Sequence, residues 1–374
     1  MNYMLNKQHN NDFARLISQL LALFTILLLP TTLLAEPYLA VRTGQKCLAC
    51  HVNPTGGGKR TPYGDVYGKQ SLAKQQLMDP NKVWDGKVND FLALGADLRY
   101  NLESTSTPNE NTSTEFKLEE ASLYLDINLI PDYLKLYIDE KVAPGGAVNM
   151  EAWAQLKTRD NLLYLKAGRF YLPYGIRLQD DGAFIRQVTG INFNNSDNGI
   201  EFGFEPASWS ATLAFSNGTS GGGENNQQKQ YSLRAEYIAP SWRLGSSYNF
   251  NDGENDNNRE LAGIFAGAHF FGIDWLFEYD HVNNESALSG REQDIYYLEA
   301  NLGYFRGHNL KLSYENYDPD NDVAEDEQTR TSFIWEYNPF EFTQVRTGVR
   351  LYDGIPQNNQ QNREQYFIQL HNYF

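Results

Sequence analysis

From Val88 to the end of the chain, apolar and polar residues alternate with a period of two, which marks strands rather than helices. Ala121, Leu123, Leu125 and Ile127 fall on one face of such a strand, with Glu120, Ser122, Tyr124 and Asp126 on the other. The run Tyr296, Leu298, Ala300, Leu302 and Tyr304 repeats the pattern with tyrosine at both ends. Val345, Thr347, Val349 and Leu351 alternate in the same way with Gln344, Arg346, Gly348 and Arg350. Sixteen such segments can be counted, beginning near residues 88, 114, 133, 148, 161, 198, 209, 231, 242, 259, 273, 292, 309, 328, 342 and 364. Their connections alternate in length. Short ones fall at Pro131-Asp132, Arg159-Asp160, Pro206-Ala207-Ser208, Pro240-Ser241, Phe271-Gly272, Gly307-His308-Asn309 and Pro339-Phe340. Longer polar ones cover 104–113, 218–230, 252–258, 284–291, 318–327 and 353–363, with 143–147 a shorter exception.

Short turns at one rim and long loops at the other describe a transmembrane barrel; a soluble sandwich or propeller has no reason to alternate them. The reading is therefore all-β: a 16-stranded antiparallel outer-membrane β-barrel over residues 88–374, seated in outer-membrane lipid. An even strand count leaves both termini on the short-turn, periplasmic side. Tyr366, Ile368, Leu370 and Phe374 share the apolar face of the last strand, with Asn372 an imperfection in the stripe. Sixteen strands enclose a water-filled lumen wide enough for a small plug. The segment 176–197, after Gly175, is the best candidate for a loop folded into it.

Composition agrees. Tyr (24), Phe (21) and Gly (30) are abundant, as amphipathic strands with aromatic ends require. Residues 1–35 read as a secretory signal, with Lys7 and Arg15 ahead of the apolar run Leu20–Leu29 and Ala35 at the cleavage point. That run is too short to span a membrane as a helix. Without Lys7, Arg15 and Asp12 the exported chain would carry a formal charge of −17, which disfavours nucleic acid as a partner.

Residues 36–87 differ in kind. They contain Cys47-Leu48-Ala49-Cys50-His51, the C-x-x-C-H pattern of covalent haem attachment. Two thiols at this spacing add to the two vinyl groups of a haem, and the histidine that follows directly is held beneath the iron. Cys47 and Cys50 are the only cysteines in the chain, and no βαβ pattern surrounds them to suggest a thioredoxin-like pair. The expectation is a small N-terminal c-type haem unit with one covalently bound haem c, cofactor-binding residues Cys47, Cys50 and His51, and His51 as proximal iron ligand. Gly56, Gly57 and Gly58 lack the preceding strand and the Gly-Lys-Ser/Thr ending of a phosphate loop. Residues 66–78 fit one or two helical turns before Asp79-Pro80. Arg42, Lys46, Lys59 and Arg60 are candidate partners for haem propionates, or simply solvated charges.

For the sixth iron position Met78 ranks first, followed by His371 and His269 at the short-turn rim; a five-coordinate iron is the alternative. Met150 shares a face with Ala152, Ala154 and Leu156 and is expected to point to lipid. The polar strand faces supply Glu120, Asp126, Asp139, Glu151, Glu201, Glu205, Asp274, Glu278, Asp280, Glu299, Glu315 and Glu336 against Lys135, Lys311, Arg346 and Arg350. A basic unit drawn into an acidic lumen follows from charge alone. The six carboxylates within 318–327 read as a solubilising external loop.

The chain resembles the fused monohaem cytochrome–porins of the outer membrane, whose best-known members are ferrous-iron oxidases. The resemblance lies in Arg42-Thr43-Gly44, Cys47-x-x-Cys50-His51, Pro54 and Thr61-Pro62-Tyr63-Gly64, followed by a barrel ending on Phe374. It departs in the Asn53–Gly58 stretch and in lacking a hydrophobic tail after Gly64. Gly168-Arg169-Phe170-Tyr171-Leu172-Pro173-Tyr174-Gly175 is similar to a string in phosphate-selective porins O and P, which lack the haem and select anions. What the resemblance implies is electron transfer across the outer membrane: an extracellular donor such as ferrous iron, or an external acceptor, exchanging with a periplasmic cytochrome. Whether this makes the chain an iron oxidase or a non-enzymatic carrier stays open. The alternative is a diffusion porin with the haem unit as gate or sensor.

Overall fold

The computed structural model describes residues 36–79, 82–191, 195–224, 226–253, 257–285 and 290–374. The expected signal at 1–35 and Pro80 lie outside these residues. Sixteen antiparallel strands, from β1 (Leu92–Ser106) to β16 (Glu364–Tyr373), close into a barrel in sequence order. The seam pairs β1 with β16, from Asp97 opposite Tyr373 to Ser106 opposite Glu364. Strand starts match the sequence reading closely; the largest offset is the first, at Leu92 rather than Val88. The turn read at Gly307-His308-Asn309 lies earlier, because His308 already opens β13 (His308–Asp318).

The two faces separate as the alternation demands. Leu123, Ile200, Leu244, Leu312, Phe333 and Ile368 stand about half exposed on the outer wall. Trp209, Trp242, Phe270, Phe271, Phe305 and Phe340 crowd the short-turn rim outside, where an interfacial aromatic girdle belongs. At that rim Phe271 (φ 53°) and Gly272 (φ 72°) form a two-residue hairpin turn with both φ positive, the geometry that matches strand twist. Such a belt is stable only against hydrocarbon, so the chain forms an outer-membrane, multi-pass barrel.

One expected position is wrong. Between β3 (Leu134–Ala143) and β4 (Val148–Lys157) the pairing steps from Asp139 opposite Glu151 to Glu140 opposite Asn149. Met150 is the extra residue of this bulge and turns inward, 5% exposed, instead of facing lipid.

The lumen is filled from two sources. Residues 172–191 fold inward after β5 (Leu163–Tyr171) and carry a short helix, Phe184–Gln187. Leu172, Tyr174, Ile176, Leu178, Phe184 and Ile185 are buried there. The amides of Ile176 and Phe184 donate to Glu278 and Glu315 of the wall, each at 2.6 Å.

Residues 36–79 are the second source. Helix α1 (Pro37–Thr43) opens with proline at its first position and ends on Gly44 (φ 63°). Helix α2 (Cys47–Cys50) and helix α3 (Pro62–Val66) follow, and α3 runs into a π-helical turn, Tyr67–Ser71. The helix expected from residue 66 thus begins at Pro62. Thr61 caps it, its hydroxyl accepting from the Gly64 amide at 3.1 Å.

Within this unit Asp65 is buried between Lys69 (3.3 Å) and Lys59 (3.8 Å), and Lys69 also donates to the Trp84 carbonyl at 2.6 Å. Removing the Lys69 charge with Lys69→Met leaves Asp65 buried beside one distant cation. The expected cost is about 3 kcal/mol of the unit's stability. Proteolysis of residues 36–79 in the intact barrel should accelerate accordingly, and unchanged cleavage would show that the triad does not hold the unit together.

Candidate haem site in the barrel lumen

The N-terminal unit is tied to the wall by groups spread around the barrel. Arg42 donates to Asp274 at 2.6 Å on β11 (Ile273–Asn284), and Lys46 pairs with Glu205 at 2.9 Å just beyond β6 (Ser196–Phe204). Tyr38 donates to Glu336 at 3.2 Å on β14 (Gln328–Tyr337). The Asn53 amide spans both oxygens of Glu151 at 2.9 and 3.0 Å. The Tyr137 hydroxyl accepts from the Lys59 amide at 2.9 Å, while the Lys74 amide donates to the Asn338 carbonyl at 2.8 Å. Several of these anchors lie at the short-turn end, so the unit crosses the lumen there.

The expected acidic wall and basic insert are therefore both present and paired, and the cluster is not simply solvated charge. Arg42, Lys46 and Lys59 are engaged by carboxylates. Arg60 instead lies against the Tyr373 ring, 4.0 Å from its centroid, beside His51.

Cys47, Cys50 and His51 line one cavity of about 600 Å³ that extends past the inward segment 172–191 toward Glu103, Lys117 and Arg363 near the long-loop end. This lies within the usual range of cofactor sites, about 300–1,000 Å³. Gly56, Gly57 and Gly58, with φ of 91°, 78° and 63°, form its floor. A side chain at Gly58 would collide with the Tyr137 hydroxyl, so the run is needed to bring backbone this close.

The electrostatics suit a haem and oppose a redox dithiol. Burial and the Arg60 guanidinium push the His51 imidazole down to about 4, so the ring is neutral as an iron ligand must be. Its Nδ1 is buried without a hydrogen-bond partner. Burial raises the Cys47 thiol, and burial with Cys47 alongside pushes Cys50 up to about 11. Redox-active pairs need the opposite shift. The residues present fit a covalently held haem: Cys47 and Cys50 would supply the two thioether links and His51 a neutral nitrogen ligand for the iron.

The candidate sixth ligands separate. His371 lines the same cavity, its Nδ1 3.2 Å from Gln344 and its Nε2 bonded to Asp97. His269 is outside the cavity, 2.5 Å from Asp274, which also holds Arg42. Met78 is 39% exposed and also outside it, its backbone amide held by Glu341. Met150, passed over in the sequence, lines the cavity. Only the bulge redirects it, and alternation carries no sign of a bulge. Tyr63 and Tyr67, stacked 6.0 Å apart, line the cavity beside the motif. Their spacing of four on a proline-started helix was the available signal.

The barrel has close structural counterparts. OmpT of Vibrio cholerae with loop L8 deleted matches 76% of this chain and 100% of its own at a TM-score of 0.60 and 11% identity. The anion-selective porin of Comamonas acidovorans matches 76% and 99% at 0.62 and 10%. Pseudomonas putida OprB matches 76% and 94% at 0.62 and 8%. No family model and no curated protein matches the chain. At these identities the likeness is one of fold: a porin-type 16-strand barrel.

Proposed function

We propose that this barrel transfers electrons across the outer membrane through a c-type haem held at Cys47, Cys50 and His51. The observation that carries the reading is the placement of this motif: it faces a lumen cavity reaching toward the long-loop end, on a unit anchored across the short-turn end. Bound there, haem would supply a one-electron ferrous–ferric couple. The chain does the rest. His51 is kept neutral by burial and Arg60, the strands exclude lipid, and the anchored unit exposes Tyr63 on its surface. On the family resemblance, the external partner is a donor such as ferrous iron and the inner one a periplasmic cytochrome.

The porin-type barrel supports a second reading, a diffusion pore in which the N-terminal unit acts as gate or sensor. One preparation tests both. Detergent-purified protein should show a Soret band and one haem per chain, reducible by ascorbate, and near-closure in planar bilayers. A colourless preparation with large steady conductance would overturn the conduit in favour of the pore.

A further inference from the structure

We propose that residues 74–78 of the N-terminal unit form a lipid clasp, which binds anionic phospholipid at the short-turn rim and holds the unit in the mouth of the barrel. The clasp serves conduit and pore alike and does not depend on the haem.

The backbone of the segment is fastened to the rim. The Lys74 amide donates to the Asn338 carbonyl at 2.8 Å and the Gln75 amide to the Pro339 carbonyl at 3.0 Å, both on the turn after β14. The Leu77 and Met78 amides donate to the Glu341 carboxylate at 3.0 and 3.2 Å. From the turn that opens β13, Arg306 donates to the Gln70 and Ala73 carbonyls at 2.7 and 2.9 Å. A side chain at Gly307 of that turn would collide with Lys74. With the backbone committed to the wall, the side chains of Lys74, Leu77 and Met78 are left exposed, Leu77 to 67%.

The surface they join is the aromatic girdle. Phe305 and Phe340 stand exposed on the same two turns. His308, Trp335 and Tyr337 stack nearly parallel, 4.6 to 5.6 Å between centroids, on the side of β13 and β14 that carries Leu310, Leu312 and Phe333 outward. Such rings mark the depth of lipid headgroups. Exposed Leu77 and Met78 extend the belt, and this continuity favours acyl chains and headgroups over a soluble protein as the occupant.

Charge selects the headgroup. Lys74 and Arg306 are both exposed. Arg306 donates to neutral carbonyls, and Lys74 has no carboxylate within ion-pair distance among the described residues. Nearby acids are engaged: Glu341 is buried under the Leu77 and Met78 amides, and Asp79 lies 3.9 Å from Lys82. With Glu341 counted, the patch holds two cations against one carboxylate. An apolar tip beside cations is the composition of an interfacial anchor, and each cation near an anionic surface strengthens binding about fivefold.

Hydrogen exchange of the full chain in lipid nanodiscs tests this, because the amides of Lys74, Gln75, Leu77 and Met78 exchange when the segment leaves the rim. In phosphatidylglycerol their exchange should be about tenfold slower than in phosphatidylcholine of equal chain length, a difference that shrinks as salt rises. Lys74→Glu should remove most of the difference and Lys74→Gln an intermediate part, with heat-modifiable migration as the folding control. Equal wild-type exchange in the two lipids, or an undiminished difference in Lys74→Glu, overturns the proposal. Exchange that ignores lipid yet slows when a soluble c-type cytochrome is added overturns it in favour of a protein partner.

Discussion

Arg42→Glu combined with Lys46→Glu is expected to open the barrel, raising single-channel conductance by about tenfold toward that of a 16-strand pore narrowed by the inward loop alone. Each substitution places a carboxylate against one already buried, Asp274 or Glu205, where the wild-type contacts are 2.6 and 2.9 Å. Breaking a buried pair costs about 3–5 kcal/mol, and like charges add to that. Residues 36–79 also hold on through Tyr38, Asn53 and Lys59, so both pairs are reversed together. The strand ladder, complete from β1 to β16, does not depend on them. Planar-bilayer recording of the purified double variant reads the effect. Conductance unchanged from wild type would show that this unit does not obstruct the lumen.

The second large effect is chemical. Cys47→Ala with Cys50→Ala should abolish covalent haem altogether: no haem-stained band after denaturing electrophoresis, and a chain mass equal to the polypeptide alone. Each single variant should retain one thioether and a weaker band. His51→Ala should keep the covalent link yet change the optical spectrum, because the neutral imidazole that burial and Arg60 maintain is removed from the iron. The barrel wall touches none of these three positions in its hydrogen-bonded ladder, so heat-modifiable migration serves as the folding control. A double variant that still carries covalent haem would refute the assignment of the motif.

Much of this architecture was legible in the order of residues. Period-two alternation located strands to within four residues, because each lipid-facing position must be apolar whatever its partner. Turn lengths gave the two rims, and the segment after Gly175 was recognisable as an inward loop. Met150 was misplaced because a bulge consumes one residue without changing composition. Charge was harder. The acidic faces were read correctly, but which carboxylates stay open depends on pairs such as Arg42 with Asp274 and Lys311 with Glu36, more than two hundred residues apart. No local pattern encodes those pairings, so which charges stay open emerged only from the folded chain. The candidate ligands divide likewise: C-x-x-C-H is local and readable, whereas the shared cavity of His51, His371 and Met150 is a property of closure.

The seam between β1 and β16 has a consequence for biogenesis. Residues 36–79, which precede β1, are enclosed by a ring that is completed only when the last strand zips onto the first. A unit that lies across the short-turn mouth is reached from that end alone, since a catalyst of protein size has no way through a finished wall. An intermediate caught with its ends unpaired is where the order of enclosure and ring closure can be observed.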